Sequence, residues 1–289
     1  MRVVVLGGSG FLGSHVADEL SRKGHKVKIF DKKKSRWLMP TQKMCIGSIL
    51  NFKSLENVIK GSDVIYHFAA LSDIEKAMKN PLGTVRNNIL GTVNVLELMR
   101  KHKIKKLIYA STIYVNSVSG GFYRTSKKAT EDYINEYSRI YDFNYKILRF
   151  GSVYGERSDY SNGVKRIITD AISTGKVSYY GNKNYIREYI HVSDAAKACS
   201  DLLNKKYKNK YINITGKRKI KVKFLLKLIA RLLKIKKSVE FRNEMFTGHY
   251  TTTPYTYKQK IGKKFNFKSL TNFDSSIEKL VSEIKKEKN

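Results

Sequence analysis

Short apolar runs alternate with amphipathic stretches along the first half of the chain, which is the pattern of alternating strands and helices. The runs are rich in β-branched and aromatic residues. They predict strands at Arg2–Leu6, Val27–Phe30, Met44–Ile46, Asp63–Ala70, Lys106–Ala110 and Tyr145–Leu148. The stretches between them predict helices at Phe11–Leu20, Phe52–Lys60, Pro81–Arg100 and Tyr123–Tyr141. This alternation predicts an α/β fold with a doubly wound parallel sheet.

The regular alternation of predicted strands and helices stops after residue 150, where Gly, Ser, Asn and Tyr cluster through Gly151–Asn162. We therefore expect residues 1–150 to form the sheet domain. Residues 151–289 would then form mainly a smaller substrate lobe, interleaved with returns to the first domain. An apolar stripe at Lys223–Lys234 predicts a helix that packs in this lobe, with a membrane-surface helix as the alternative. Ser275–Lys286 predicts a surface helix.

A glycine-rich loop joins the first predicted strand to the first helix, and the second strand stops at Asp31. Gly7 allows a tight turn, Gly10 lets a pyrophosphate approach the helix N-terminus, and Gly13 lets helix and strand pack closely. Asp31 can accept hydrogen bonds from ribose hydroxyls and would repel a 2′-phosphate. A glycine turn without a ligand is the alternative. The combined pattern favours a Rossmann-type site for NAD rather than NADP.

Tyr123 and Lys127 lie four residues apart in a predicted helix, and therefore on one face of it. A positive charge at Lys127 would lower the pKa of the Tyr123 phenol towards neutrality. Tyr123 could then act as general acid and base at an alcohol carbon that exchanges a hydride with the nicotinamide. Thr112, at the end of the preceding strand, could hold the substrate oxygen. A surface Tyr–Lys pair is the alternative, but the preceding dinucleotide pattern favours a catalytic pair.

The chain carries 57 Lys and Arg against 24 Asp and Glu, a formal net charge of +33. Nucleic-acid binding, attraction to an anionic membrane or ligand, and a lysine-rich proteome are the candidate causes. Abundant Lys, Tyr, Ile and Asn favour compositional drift, and no specific nucleic-acid motif is present. The positive electrostatic field of the protein would still favour the binding of an anionic substrate such as a nucleotide diphosphate.

Three features bear on the location of the protein. Cys45 and Cys199 are its two cysteines, too few for a disulfide framework, and no metal-ligand spacing is present. No apolar run reaches the ~18–20 residues of a membrane span. The first predicted strand begins at residue 2, which leaves no room for a signal peptide. We therefore expect a cytoplasmic protein without a metal.

The chain resembles the extended short-chain dehydrogenase/reductase family, in its NAD-dependent nucleotide-sugar epimerase/dehydratase branch. The resemblance covers nearly the whole length. It rests on the glycine loop and on the segments His67–Ala70, Asn88–Thr92, Ser111–Val115, Tyr123–Lys127, Gly151–Gly155 and Arg187–Asp194. It implies NAD as cofactor, a nucleotide-diphosphate sugar as substrate, and a homodimer formed by the helices at about 83–101 and 123–141.

The resemblance also implies three sets of site residues. The catalytic set is Thr112, Tyr123 and Lys127. The cofactor set is Gly7, Gly10, Phe11, Leu12, Gly13, Asp31, Ser48, Ile49, Phe68, Ala69, Ala70, Asn88, Tyr123 and Lys127. The substrate set is Ser72, Thr112, Ser152, Arg187 and His249, with Arg187 on the diphosphate.

Departures from the family pattern reduce the number of reactions that the chain is expected to catalyse. Ser48 stands where the family usually has an Asp that contacts adenine, and the segment from Asn116 to Tyr123 is short. The family's 4,6-dehydratases carry Asp-Glu after the catalytic Thr, where this chain has Ile113 and Tyr114. Neither residue can eliminate water, and the Glu typical of the decarboxylating relatives is also missing.

These residues favour an NAD-dependent 4-epimerase that works through a transient 4-keto sugar. A UDP-glucose-like or UDP-GlcNAc-like substrate is expected, for surface polysaccharide or glycoconjugate precursors. Two alternatives remain: a 4-ketoreductase or dehydrogenase of the same family, and a non-catalytic NAD-binding protein.

Overall fold

A computed structural model describes residues 1–203, 207–235 and 239–242, which belong to a compact unit spanning Met1–Tyr257. The strands are β1 Arg2–Leu6, β2 Lys26–Asp31, β3 Lys43–Ile46, β4 Val64–His67, β5 Lys106–Thr112, β6 Asn144–Phe150, β7 Ser152–Tyr154, β8 Ser178–Tyr180, β9 Ile186–His191, β10 Lys210–Ile214, β11 Lys219–Lys221 and β12 Glu240–Arg242. The α-helices are α1 Phe11–Arg22, α2 Phe52–Ile59, α3 Ile74–Lys79, α4 Pro81–Thr84, α5 Gly91–Lys101, α6 Gly121–Tyr141, α7 Gly163–Thr174, α8 Val192–Asp201 and α9 Val222–Leu232. A π-helical turn at Val85–Leu90 joins α4 to α5, and a 3₁₀ turn at Ile113–Asn116 follows β5.

Seven parallel strands form the central sheet, in the order β10-β6-β5-β4-β1-β2-β3. Side chains alternate across it: Val4 and Leu6 enter one apolar core, and Val3 and Val5 enter the other. Helices α2, α5 and α6 cover the first face and α1 and α8 cover the second. The prediction of a doubly wound parallel α/β sheet is confirmed. Because β1 lies inside the sheet, between β4 and β2, the glycine loop after β1 opens at the carboxyl edge of interior strands.

Two elements differ from their predictions: one strand ends earlier, and one helix is interrupted. The strand expected over Asp63–Ala70 leaves the sheet at His67, and the next residues pass beneath the glycine loop, where a Cβ on Gly7 would lie 2.6 Å from the Ala69 nitrogen. The helix expected over Pro81–Arg100 contains the π-helical turn. This turn holds the buried Asn88 amide, which accepts a hydrogen bond from the Leu71 nitrogen at 2.7 Å.

The later elements build smaller layers. Strands β11, β9 and β7 form a second sheet, β12 pairs with β8, and β10 returns to the central sheet. Helices α7 and α9 share a third apolar core with β8. The predicted division into residues 1–150 and 151–289 stays a prediction, and Ser275–Lys286 lies outside the described residues.

Helix α9 packs in the smaller layers, but it uses only part of the apolar stripe predicted from its sequence, which comprises Phe224, Leu225, Leu228, Ile229 and Leu232. Leu226, Ile229 and two smaller residues, Val222 and Ala230, enter the third core. Part of the predicted stripe is exposed instead, at Phe224, Leu228 and Leu232. Within the described ranges, no helix combines the length and the apolar character that crossing a membrane requires.

Candidate active site

A first cavity of about 510 Å³ opens where the central strands end at their carboxyl edge. It is lined by twelve of the fourteen predicted cofactor residues. These are Gly7, Gly10, Phe11, Leu12, Gly13, Asp31, Ile49, Phe68, Ala69, Ala70, Tyr123 and Lys127. Sequence reasoning missed other lining residues, among them Lys32, Asn87 and Phe150. The glycine loop and the predicted catalytic pair, Tyr123 and Lys127, therefore line one cavity although more than a hundred residues separate them.

The backbone of the glycine loop explains its composition. Gly7 has a φ of +80°, and a Cβ on Gly13 would lie 2.2 Å from the Gly7 carbonyl oxygen. Neither position can carry a side chain without moving β1 or α1. Helix α1 begins after Gly10 with no side-chain cap and no acidic residue in its first turn. Its N-terminal amides can therefore receive an anion, which fits a dinucleotide pyrophosphate.

The carboxylate of Asp31 lies at the end of β2 and lines the same cavity. Its Oδ2 accepts a hydrogen bond from the Ser9 nitrogen at 3.1 Å, which ties it to the glycine loop. Its neighbour Lys32 donates to Asn87 Oδ1 at 2.9 Å. The position of Asp31 fits the recognition of a ribose, because a carboxylate there can accept from vicinal hydroxyls.

Two predicted cofactor residues do not line the first cavity. The Ser48 hydroxyl accepts a hydrogen bond from the Leu50 nitrogen at 3.2 Å and shapes the turn before α2. Asn88 donates to the Leu71 carbonyl at 3.1 Å and to the Ser126 hydroxyl at 2.9 Å. The side chain of Asn88 therefore connects the π-helical turn, the segment after β4 and α6. Asn88 therefore holds these three segments together behind the cavity and does not line it.

A second cavity of about 330 Å³ adjoins the first. The predicted substrate residues Ser72, Thr112, Ser152 and Arg187 line it, and His249 lies outside the described residues. Arg187 is 7% exposed, which excludes a freely solvated surface arginine at this position. The lining residues that sequence reasoning missed include Tyr114, Asn162, Arg166, Tyr179, Tyr185 and Tyr189.

Charge in the second cavity is predominantly positive. Arg187 stacks 5.4 Å from the centre of the Tyr185 ring, and Arg166 pairs with Glu75 across 3.7 Å. Asp170 is the single carboxylate among the described lining residues, and it accepts a hydrogen bond from the Tyr160 hydroxyl at 2.6 Å. Both guanidinium groups bring positive charge to the cavity, although that of Arg166 is shared with Glu75, and this charge suits an anionic ligand.

Tyr123 lines both cavities and marks the place where they meet. Lys127, one turn later in α6, lines the first cavity, and Thr112, at the end of β5, lines the second. The Thr112 hydroxyl lies near enough to the Tyr123 phenol to act on its pKa, in the lowering direction. The three residues predicted as catalytic are therefore brought together, with the phenol between a cofactor-sized cavity and a substrate-sized one.

The charge states of the pair differ from the sequence expectation. Desolvation raises the pKa of Tyr123 to about 12, against which the nearby Thr112 hydroxyl acts in the lowering direction. Desolvation also lowers the pKa of Lys127 to about 7, opposed by the charge of Glu131. Lys127 Nζ donates to the Ala110 carbonyl at 2.7 Å. The expected lowering of the phenol pKa is therefore absent, because desolvation dominates and the ammonium binds the backbone.

A buried ionic network, which sequence reasoning missed, lies behind the pair. Glu131 is fully buried and accepts two hydrogen bonds from Arg149, at 2.6 and 3.0 Å. It also accepts one from the Ser111 hydroxyl at 2.6 Å. Tyr123, Lys127 and Glu131 repeat every four residues in α6, and this spacing was the available signal. The network connects α6 to β5 and β6 beside the residues predicted as catalytic.

The two positions that decide the dehydratase reaction carry no carboxylate. Ile113 is 1% exposed and packs away from water, whereas Tyr114 lines the second cavity. In the part of the chain that the structure describes, no group of three His, Cys, Asp or Glu side chains could hold a metal ion.

Comparison with known proteins agrees with this arrangement. The family model described as "NAD dependent epimerase/dehydratase family" matches residues 3–215. A Methanocaldococcus jannaschii protein, provisionally named UDP-glucose 4-epimerase, is 34% identical over 240 residues, covering 74% of this chain and 77% of that protein. The Bacillus cytotoxicus UDP-N-acetyl-alpha-D-glucosaminuronate decarboxylase is 28% identical, covering 74% of each chain.

Among solved structures, the UDP-glucose 4-epimerase of Thermotoga maritima, crystallised with UDP-glucose, superposes with a TM-score of 0.80. It is 27% identical, and the match covers 89% of this chain and 90% of that chain. The family match, the Methanocaldococcus relative and this shared fold lead to one conclusion: the chain belongs to the NAD-dependent epimerase/dehydratase family.

Proposed function

We propose that this protein is a nucleotide-sugar 4-epimerase that holds NAD and works on a UDP-glucose-like or UDP-GlcNAc-like substrate. The observation that carries the proposal is the position of Tyr123 at the junction of the two cavities. A sugar carbon bound beside the phenol would face both the proton acceptor and the cofactor.

Each residue of the catalytic set has a distinct task in this proposal. Thr112 holds the oxygen of the C4 hydroxyl, and Tyr123, starting as the phenolate, takes the hydroxyl proton as the C4 carbon is oxidised. NAD, when bound in the first cavity, supplies the hydride acceptor and later the hydride donor. The 4-keto sugar then presents its other face, and Tyr123 returns the proton to the oxygen. Lys127, in its charged form, would stabilise this phenolate against the desolvation that raises the pKa of Tyr123 in the described site.

Charge and size support a nucleotide-diphosphate sugar as the substrate. Arg187, supported by the Tyr185 ring, would bind the diphosphate, and Arg166 adds a second positive charge to the same cavity. The Methanocaldococcus and Thermotoga relatives, named for UDP-glucose, favour a UDP-sugar. The Bacillus decarboxylase shows that the family includes other reactions, so the assignment to epimerisation depends on Ile113 and Tyr114.

One observation favours a 4-ketoreductase as the second candidate. Lys32 lines the first cavity directly beside Asp31, where a cation would tolerate the 2′-phosphate of NADP. The Asp31 carboxylate opposes such a phosphate. The two candidates therefore differ in the cofactor that they retain.

We expect the purified protein to carry NAD and to interconvert UDP-glucose and UDP-galactose, or their N-acetyl forms, without added cofactor. Mass spectrometry of copurified ligands and chromatography of the sugar nucleotides would measure both. A requirement for added NADPH would instead identify a 4-ketoreductase. Retained NAD without turnover of any tested sugar nucleotide would identify a non-catalytic NAD-binding protein.

We also propose a homodimer formed through the helices at 83–101 and 123–141. Supporting side chains on α6 and around the π-helical turn are large, apolar and exposed. They are Leu82, Val85, Leu90, Phe122, Tyr133 and Ile140. Light scattering at micromolar concentration is expected to give twice the mass of the 33.3 kDa chain. A monomer under these conditions would contradict the proposal.

A further inference from the structure

Helix α9 has a second apolar face that its own core does not use. Val222, Leu226 and Ile229 are buried in the third core. Phe224 and Leu232 lie on the opposite side and are 56% and 69% exposed. Leu228, midway between them, is 42% exposed. Because these three positions are four residues apart, they form one continuous ridge along the helix, named here the α9 ridge.

Basic residues run beside the α9 ridge. Lys223, Lys227 and Arg231 each precede a ridge residue by one position, so they form a parallel row. Lys227 and Arg231 are exposed, and Lys223 Nζ lies 5.4 Å from the centre of the Phe224 ring. Four more exposed cations lie in the segment that leads through β11 into α9: Lys217, Arg218, Lys219 and Lys221.

Among the described residues, these cations have almost no acidic partners. Of the basic residues that the structure describes between positions 207 and 235, Lys208 has an ion-pair partner, Asp142 at 3.7 Å, and the others have none. The sequence between Asp201 and Glu240 contains fourteen Lys and Arg and no acidic residue. At the average density of the chain, about three acidic residues would fall in that stretch. General lysine enrichment does not account for their absence.

We propose that the α9 ridge and its basic row form a docking surface for an anionic lipid membrane, on which α9 lies parallel to the bilayer plane. An exposed apolar ridge beside Lys and Arg is the combination that binds helices to the interface of anionic bilayers. The buried face of α9 anchors the helix to the protein, so docking would be peripheral and reversible.

The charge distribution argues against two other occupants. A second copy seated on the same face would bring two rows of like charge together, which costs affinity. A nucleic acid would satisfy the cations but would leave Phe224, Leu228 and Leu232 in water, because its phosphate backbone offers no apolar surface to them. A lipid surface accepts both the ridge and the charges.

Vesicle co-sedimentation of the full chain tests the proposal. We expect binding to phosphatidylcholine vesicles that contain about one third phosphatidylglycerol, little binding to pure phosphatidylcholine, and weaker binding as salt is raised. The triple variant Phe224→Ser/Leu228→Ser/Leu232→Ser and the double variant Lys227→Glu/Arg231→Glu should each lower the bound fraction at least about tenfold. The matched control is Phe52→Ser/Lys53→Glu, an exposed Phe–Lys pair on α2, which should bind as the parent does.

Three outcomes would overturn the proposal. The first is an absence of binding to the anionic vesicles by the parent protein. The second is undiminished binding by the triple variant, with its thermal melting curve unchanged. The third is a concentration-dependent self-association, or binding to a single-stranded RNA, that the same variants abolish while the vesicle signal is absent. Retained NAD in every variant would show that these results are independent of the proposed catalytic function.

Discussion

Replacing Tyr123 with Phe is expected to lower kcat for sugar-nucleotide interconversion by about 10²–10⁴-fold, the usual contribution of a positioned acid–base group. The substitution removes one oxygen at the junction of the two cavities and keeps the ring that fills it. The cofactor contacts of the glycine loop and Asp31 are unchanged, so the variant should still copurify with NAD. Steady-state kinetics and mass spectrometry of the bound cofactor would measure the two effects separately.

The same helix supplies a matched control for this experiment. Tyr133 is 46% exposed on α6, and Tyr133→Phe removes an equivalent hydroxyl outside both cavities. That variant should keep the parent kcat. If Tyr123→Phe turned over every tested sugar nucleotide as fast as Tyr133→Phe does, the proposed chemistry would be wrong. A loss of NAD together with activity would instead indicate a collapsed cavity.

The parts of the site that sequence predicted are those whose geometry is local. Gly7, Gly10 and Gly13 belong to one turn between a strand and a helix, and Asp31 ends the strand that pairs with β1. Lys127 follows Tyr123 by one helical turn, so four-residue spacing is sufficient to place both on one face. Parallel strand order then brings the two groups to one edge of the sheet.

The parts that sequence did not predict depend on packing between distant elements. Arg166 and Tyr185 reach the second cavity from α7 and from the segment before β9, whose positions follow from the smaller layers. The pKa of Tyr123 depends on how completely the surrounding elements exclude water, which spacing does not report. Helix α9 shows the same limit, since its sequence is apolar on two sides and only the fold determines which side is covered.

Removing Arg149 is expected to lower the free energy of unfolding by about 3–5 kcal/mol, because the substitution strands a buried carboxylate. In Arg149→Met the fully buried Glu131 loses two hydrogen bonds and its opposite charge, and keeps the bond from Ser111. Ser111 adjoins Thr112, so the unpaired carboxylate lies close to the hydroxyl that is proposed to be catalytic. Urea denaturation at neutral pH would measure the change in stability.

An exposed pair on the same helix makes the cause of this loss testable. Arg139 bonds Glu136 at 2.7 Å with both side chains mostly in water, and Arg139→Met should cost less than about 1 kcal/mol. The double variant Glu131→Gln/Arg149→Met should recover part of the loss, because the buried side chain at position 131 is then uncharged. Equal losses in Arg149→Met and Arg139→Met, or no recovery in the double variant, would mean that packing around Arg149, rather than the stranded charge of Glu131, sets the stability of this region.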